Sequence, residues 1–234
     1  MKVKVIFEDL KTIDYKEAWD YQEVVFKKLI DLKAENRDLP DNKQKDIQSR
    51  VLFCEHPHVY TLGKSGEQNN LLINDDFLRK INARYYKINR GGDITYHGPG
   101  QIVAYPIIDL EKFNLQIKQY IAKLEDSIIL TLKEYNIESG RIDSATGVWI
   151  AGESKNPRKI CAIGVKVSRF ITMHGFAFNI NTNLDYFNYI NPCGFVDKGV
   201  TSLEKELGRK VDIEDVKNKL KFNIQKVFGM NFVE

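Results

Sequence analysis

Residues 90–101 read Arg90-Gly91-Gly92-Asp93-Ile94-Thr95-Tyr96-His97-Gly98-Pro99-Gly100-Gln101. Four glycines and a proline in twelve residues argue against a regular helix or strand here. Glycine opens positive φ and close backbone approach, while proline fixes φ and removes a donor. Strand-like apolar runs flank the stretch, Tyr85 to Ile88 before it and Ile102 to Ile108 after it. An ordinary hairpin connection needs only about two to five residues and no Arg90, Asp93, His97 and Gln101 cluster. A polar, glycine-rich loop held between two strands reads as the wall of a binding site.

The 234 residues carry 43% hydrophobic and 29% charged side chains, enough for one substantial soluble domain or two small ones. Thirty-five basic against 32 acidic residues leave a net charge of +3. That balance argues against nucleic acid as a partner and leaves room for a local basic patch facing an acidic protein. No run approaches the roughly 18 apolar residues of a membrane span. The first ten residues read as a strand and not as a signal peptide. Cys54, Cys161 and Cys193 are too few and too scattered for a disulfide framework, so the expected compartment is the cytoplasm.

Asp14 and Glu17 have capping-box spacing ahead of a helical stripe at Ala18, Tyr21, Val25, Leu29 and Leu32. Residues 35–48 hold seven charges and read as a solvated surface loop. Further stripes predict a helix from Asn114 (Ile117, Ile121, Leu124, Ile128, Leu132, Tyr135) and another from Asp212 (Ile213, Val216, Leu220, Ile224, Val227). Between them, 147–150, 159–167 and 171–180 read as strands. Without strict alternation of strand and helix, the expected fold is one α/β (α+β) domain over 1–234. Its sheet is mixed, largely antiparallel, and flanked by helices.

Three cysteines compete for a nucleophilic role. Cys193 sits between Pro192 and Gly194, a turn able to present sulfur to a cleft, and a thiol works as the thiolate. Cys161 lies in the alternating run from Lys159 to Val165, where period two puts Lys159, Cys161, Ile163 and Val165 on one apolar face. Cys161 there reads as packing. Lys159 either snorkels from the strand edge or is desolvated with a depressed pKa. Cys54, His56 and His58 suggest a metal, but Pro57 breaks the ladder and no complementary pair appears elsewhere. His174 is open between a core histidine and a site wall. Residues 90–101 match neither the Walker pattern nor a dinucleotide fingerprint.

Taken together these segments resemble the lipoyl(octanoyl) transferases of lipoate biosynthesis. The resemblance rests on Arg90-Gly91-Gly92 followed by Thr95-Tyr96-His97-Gly98-Pro99-Gly100-Gln101. Glu55-His56-Pro57 through Gly63, Lys159-Ile160 with Ala162-Ile163-Gly164, His174-Gly175-Phe176-Ala177, Asn191-Pro192-Cys193-Gly194 and Thr201-Ser202-Leu203 follow in order. The resemblance implies the catalytic-domain fold of biotin and lipoate protein ligases. It also implies transfer of an octanoyl group from octanoyl-acyl carrier protein to a lysine of lipoyl domains. The implied acceptors are those of 2-oxoacid dehydrogenase complexes and the glycine cleavage H protein. No metal, nucleotide or other cofactor is implied, which disposes of the metal reading.

On this resemblance Cys193 is the acyl carrier and Lys159 its catalytic partner. Arg90, Gly91, Gly92, Asp93, Ile94, Thr95, Tyr96 and His97 form substrate-binding positions, with Ala162, Ile163, Gly164, Gly175, Phe176 and Ala177. The thiolate would attack the donor thioester and the acceptor amine would attack Cys193 in turn, with backbone N–H groups near Gly164 or Cys193 holding the oxyanion. The glycines at 91, 92, 164 and 175 are expected to leave room for the acyl chain. Competing readings are an ATP-dependent lipoate or biotin protein ligase and a non-catalytic acyl-carrier-binding module.

Overall fold

The computed structural model describes residues 2–143, 145–151, 156–191 and 199–233. In chain order its strands are β1 (Val3–Thr12), β2 (Arg50–Glu55), β3 (Val59–Leu62), β4 (Arg84–Lys87), β5 (Ile94–His97) and β6 (Gln101–Ile107). They continue with β7 (Val148–Ile150), β8 (Arg158–Ser168), β9 (Ile171–Asn179), β10 (Gly199–Val200) and β11 (Met230–Val233). The helices are α1 (Tyr15–Arg37), α2 (Asp75–Lys80), α3 (Ile117–Lys133), α4 (Leu203–Leu207) and α5 (Ile213–Phe228). Eight strands form one sheet in the order β10-β8-β9-β6-β2-β1-β11, with β7 also paired to β8, and β4-β3-β5 form a second, smaller sheet. Pairing is mixed: β1 runs parallel to β2 and β11, whereas β2–β6, β6–β9 and β8–β9 are antiparallel.

Both faces of the large sheet are covered, and strand alternation decides which side chain goes where. Val51 and Phe53 of β2, with Ile102 and Ala104 of β6, pack under Leu124, Ile128, Leu220 and Ile224 of α3 and α5. Their neighbours Leu52, Cys54, Val103 and Tyr105 face Ala18, Val25, Phe26 and Leu29 of α1. Burial on both sides explains why β2 and β6 read as continuous apolar runs. The small sheet has its own core of Tyr60, Leu62, Ile94 and Tyr96, closed by Ile190.

The predicted helices and strands form, with differences at particular residues. Asp212 caps α5 by accepting from Glu214 N, and α3 starts at Ile117, after Gln116 and Gln119 close a capping box. Ile117 is 47% exposed, because it precedes the turn at which the stripe meets the sheet. Residues 35–37 extend α1 instead of opening a loop. The loop that follows is pinned: Asn36 donates to Lys45 O (2.7 Å) and accepts from Lys45 N (2.8 Å), and Ile47 is buried. Residues 94–97 are a strand, β5, paired antiparallel with β3. The glycines interrupt the stretch at its two ends and leave five consecutive side-chain-bearing residues, of which the last four pair.

Candidate active site

A cavity of about 320 Å³ lies between the large and small sheets, within the usual range for small-ligand sites. Val103, Ala162, Ile163, Phe176 and Ala177 give it an apolar floor from the central strands β6, β8 and β9. Arg90, Asp93, Thr95 and His97 reach it from the small-sheet side. Lys159, Trp149 and Val200 stand at one end, and His174 and Tyr105 also line it. The β8–β9 register places Val165 opposite His174, six residues along β8 from Lys159, which is roughly 20 Å of extended strand.

The glycines near Arg90 do not vacate space for a ligand. A Cβ on Gly164 would stand 3.0 Å from Arg90 Cδ and from Gly91 O, and one on Gly175 would stand 2.0 Å from Ala104 O. These two positions admit protein, so the expectation that glycines 164 and 175 carve the acyl slot is corrected, whereas a Cβ on Gly91 or Gly92 would stand 3.3 Å from Val165 O or Arg90 Nη1. The apolar room comes from the short side chains of Val103, Ala162 and Ala177. Gly91 and Tyr96 lie outside the cavity lining. Tyr96 is buried behind it, bonded to His58 Nδ1 (2.7 Å) and stacked on Tyr186.

Arg90 opens a directed chain of hydrogen bonds across the site. Its guanidinium donates to Thr61 O (2.8 Å) and Thr61 Oγ1 (3.1 Å), and Thr61 Oγ1 lies 3.5 Å from His97 Nε2. Gln101 Nε2 donates to Asn179 Oδ1 (2.8 Å) and Tyr96 O (3.2 Å). Gln101 Oε1 is therefore an acceptor for His97 Nδ1–H at 2.9 Å. Asn179 passes the chain on by donating to Thr201 O (3.0 Å). His97 also stacks on Tyr15, with centroids 5.7 Å apart. Burial, then the neighbouring His56 and Arg90, push its pKa down to about 3, so His97 is a neutral, oriented group and not a charge.

Lys159 is held by strands on both edges of β8. Its backbone pairs with Trp149 of β7 and with Val200 of β10, and its Nζ sits 4.6 Å from the Trp149 ring centroid, a cation–π contact. The β7–β8 register slips between Val148 and Trp149, whose partners are Cys161 and Lys159. Lys159 lines the cavity, and Cys161 belongs to the core cluster that includes residues of α3 and α5. Cys161 is packing, as expected. Burial pushes its thiol pKa well up.

The turn before β7 is shaped by Gly147, at φ 126°, where a Cβ would come 2.5 Å from Cys161 O and 3.4 Å from Lys159 Cε. Its N–H donates to Glu125 Oε1 (3.0 Å), and Glu125 is itself paired to Arg141 (2.6 Å). At the start of β8, Arg158 forms a two-pronged pair with Glu206 at 3.0 and 2.9 Å.

Of the sequence-derived positions, Lys159, Arg90, Gly92, Asp93, Ile94, Thr95, His97, Ala162, Ile163, Gly164, Gly175, Phe176 and Ala177 meet at this one cavity. Cys193 lies outside the described residues. The segment that carries it leaves the described fold at Asn191, whose N–H donates to Asn70 O (2.8 Å). It returns at Gly199, on the cavity wall. Tyr15, Tyr105, Trp149, Asn179 and Phe187 also line the cavity and were not singled out by sequence. Tyr15 opens α1 and Trp149 sits in a three-residue strand, and neither position carries a local motif.

The family model for the lipoyl protein ligase A/B catalytic domain matches residues 14–225. An octanoyltransferase of Cytophaga hutchinsonii is 53% identical over 230 residues, covering 97% of this chain and 93% of that one. One of Flavobacterium johnsoniae is 52% identical, with all of both chains covered. Among solved structures, the bi-partite lipoate protein ligase of Thermoplasma acidophilum superposes with TM-score 0.71 at 13% identity, covering 99% of this chain and 86% of that one. A lipoate-protein ligase A bound with ATP gives 0.68 at 14%, covering 100% and 88%. The structural likenesses carry the fold alone. Among the described residues no helix is long and apolar enough to cross a membrane.

Proposed function

The chain belongs to the lipoyl protein ligase A/B catalytic-domain family and is an octanoyltransferase of protein lipoylation, and we propose that it transfers the acyl group through a thioester on Cys193. The proposed donor is octanoyl-acyl carrier protein. The proposed acceptors are lysines of lipoyl domains, including those of 2-oxoacid dehydrogenase complexes and of the glycine cleavage H protein. The observation that carries the mechanism is the position of Lys159. It lines the cavity at the point where Gly199 and Val200 bring the Cys193 segment back into the fold, paired to Arg158 and Lys159.

In this mechanism Cys193 and Lys159 titrate as a pair. The thiolate attacks the donor thioester carbonyl, the acyl–sulfur bond of the donor breaks, and the pantetheine thiolate leaves with a proton from Lys159. The acceptor amine then attacks the Cys193 acyl carbon, Lys159 accepts the amine proton, and the Cys193 thiolate departs. The product is an amide and the free thiol. The octanoyl chain lies along the apolar floor of β6, β8 and β9, and Arg90 and the neutral His97 wall it on the small-sheet side.

The thioester donor already carries an activated acyl group, which separates this chemistry from ATP-dependent ligation on the same fold. Intact mass after mixing with octanoyl-acyl carrier protein, without ATP, should rise by one octanoyl group, and peptide mapping should place it on Cys193. A strict ATP requirement, or modification of Cys161 instead, would overturn the proposal.

A further inference from the structure

Lys159 stands beyond the end of the β8–β9 ladder. That ladder starts at Cys161, opposite Phe178, so Arg158 and Lys159 pair with the three residues of β7 and the two of β10 and not with β9. Pairing this short is marginal in water unless other contacts hold it. The chain after β10 reconnects the two strands. Thr201 N donates to Lys159 O (3.0 Å), Asn179 Nδ2 to Thr201 O (3.0 Å) and Glu204 N to Ile180 O (2.8 Å).

Glu206 of α4 closes this junction. Its carboxylate accepts from Arg158 Nε (3.0 Å) and Nη2 (2.9 Å) and from Thr201 Oγ1. A two-pronged charged pair of this kind fixes angle as well as distance. Thr201 is fully buried and Leu203 anchors α4 in the core, which gives the carboxylate a fixed base. Burial acts to raise the Glu206 pKa, but the hydrogen bonds from Arg158 and Thr201 outweigh it and hold the carboxyl below its ordinary range. Both partners are therefore charged at neutral pH.

We propose that Glu206 is a positioning residue for Lys159, clamping the start of β8 to the strand by which the chain re-enters the fold after Cys193. This rests on the acyl-transfer reading above. None of Glu206, Arg158 and Thr201 lines the cavity, so the clamp acts through its neighbours and not on the substrate. Lys159 handles a proton in both half-reactions. A loosened clamp therefore slows acylation and transfer together and leaves substrate affinity alone. A shift of about 1 Å in a reacting group costs about a hundredfold in rate.

The test compares the wild-type chain with Glu206→Gln, Glu206→Ala, Arg158→Met and the double variant Glu206→Ala with Arg158→Met. Octanoyl-acyl carrier protein is the donor and a lipoyl domain the acceptor, at a temperature where circular dichroism shows each chain folded. Single-turnover rates of both half-reactions should fall by about a hundredfold in Glu206→Ala and about tenfold in Glu206→Gln, which keeps the shape and one acceptor oxygen. KM for the donor should stay within about threefold of wild type. The double variant should be no slower than Glu206→Ala, since a single clamp is broken only once. Glu206→Gln keeps the test available should Glu206→Ala fail to fold. Parental rates in the folded variants, whatever their melting temperatures, would overturn the proposal and leave Glu206 with a stability role alone. A loss confined to KM, or to one half-reaction, would overturn it too. Failure of the wild-type chain to form an acyl-enzyme with octanoyl-acyl carrier protein would overturn the underlying reading instead.

Discussion

Replacing Gly147 by alanine should damage both stability and transfer, and the structure gives the size of the effect. The turn sits at φ 126°, a conformation that costs a side-chain-bearing residue about 1–3 kcal/mol. The new Cβ would also stand 2.5 Å from Cys161 O, a backbone atom fixed in the β8 ladder, and such overpacking costs a further 1–3 kcal/mol or so. The midpoint of the sum is about 4 kcal/mol, or roughly 8–16 °C in Tm for a chain of this size. Gly140, which faces Trp149 across an isolated bridge, supplies the control. Nothing lies within 4 Å of a Cβ placed there, so Gly140→Ala should stay within about 2 °C of the parent. Thermal unfolding followed by circular dichroism reads both variants. Relief of the clash with Cys161 O shifts the β8 backbone two residues from Lys159, and a displacement of about 1 Å there should lower kcat by about a hundredfold in transfer assays. If the two alanine variants melt within 2 °C of each other, the account of this turn is wrong.

Lys159→Met should leave the melting temperature within a few degrees and lower kcat by about 10²–10⁴-fold, the range for losing a proton-transfer group. Recovery of near-parental single-turnover rates would remove Lys159 from the mechanism. Trp149→Leu takes away the ring under Lys159 Nζ and should cost about 0.5–2 kcal/mol, read as a two- to thirtyfold loss in kcat with KM little changed. A change confined to KM would place Trp149 against the substrate instead. The three buried histidines govern acid stability: His56, His97 and His174 are pushed down to about 4, 3 and 3 from roughly 6.5 in the unfolded chain. The folded state thus binds fewer protons in acid, so stability is full above about pH 6.5 and drains as pH falls toward those values. Near pH 5 the loss should reach up to roughly 4 kcal/mol per pH unit. A urea midpoint that stays flat between pH 7 and 5 would refute this.

The helices and central strands were legible because their signals are local. Asp212 marks the first turn of α5, and the apolar run from Ile102 to Ile108 reads as the strand that becomes β6. Lys159 could be found as a cation on an apolar strand, but the register slip between β7 and β8 beside it is recorded by no periodicity in β8. Asp93 to His97 were legible as a site and not as a strand, because β5 forms only by pairing with β3, more than thirty residues earlier in the chain. Tyr15 and Trp149 were invisible for a related reason. Each reaches the cavity through contacts with residues far away in sequence, Tyr15 on His97 and Trp149 on Lys159.

The backbone-to-backbone fit around Arg90 also bears on how such a site can diversify. At Gly63, Gly92, Gly164 and Gly175 a first methyl group would meet a carbonyl oxygen, the arginine itself, or a backbone already at positive φ, so a single step away from glycine is penalised before any benefit can appear. Val103, Ala162 and Ala177 carry side chains that can grow or shrink one carbon at a time against the same cavity. Adaptation to a different acyl group, in nature or in a designed library, has its open paths at those three floor positions, while the glycine frame that holds them is closed to gradual change.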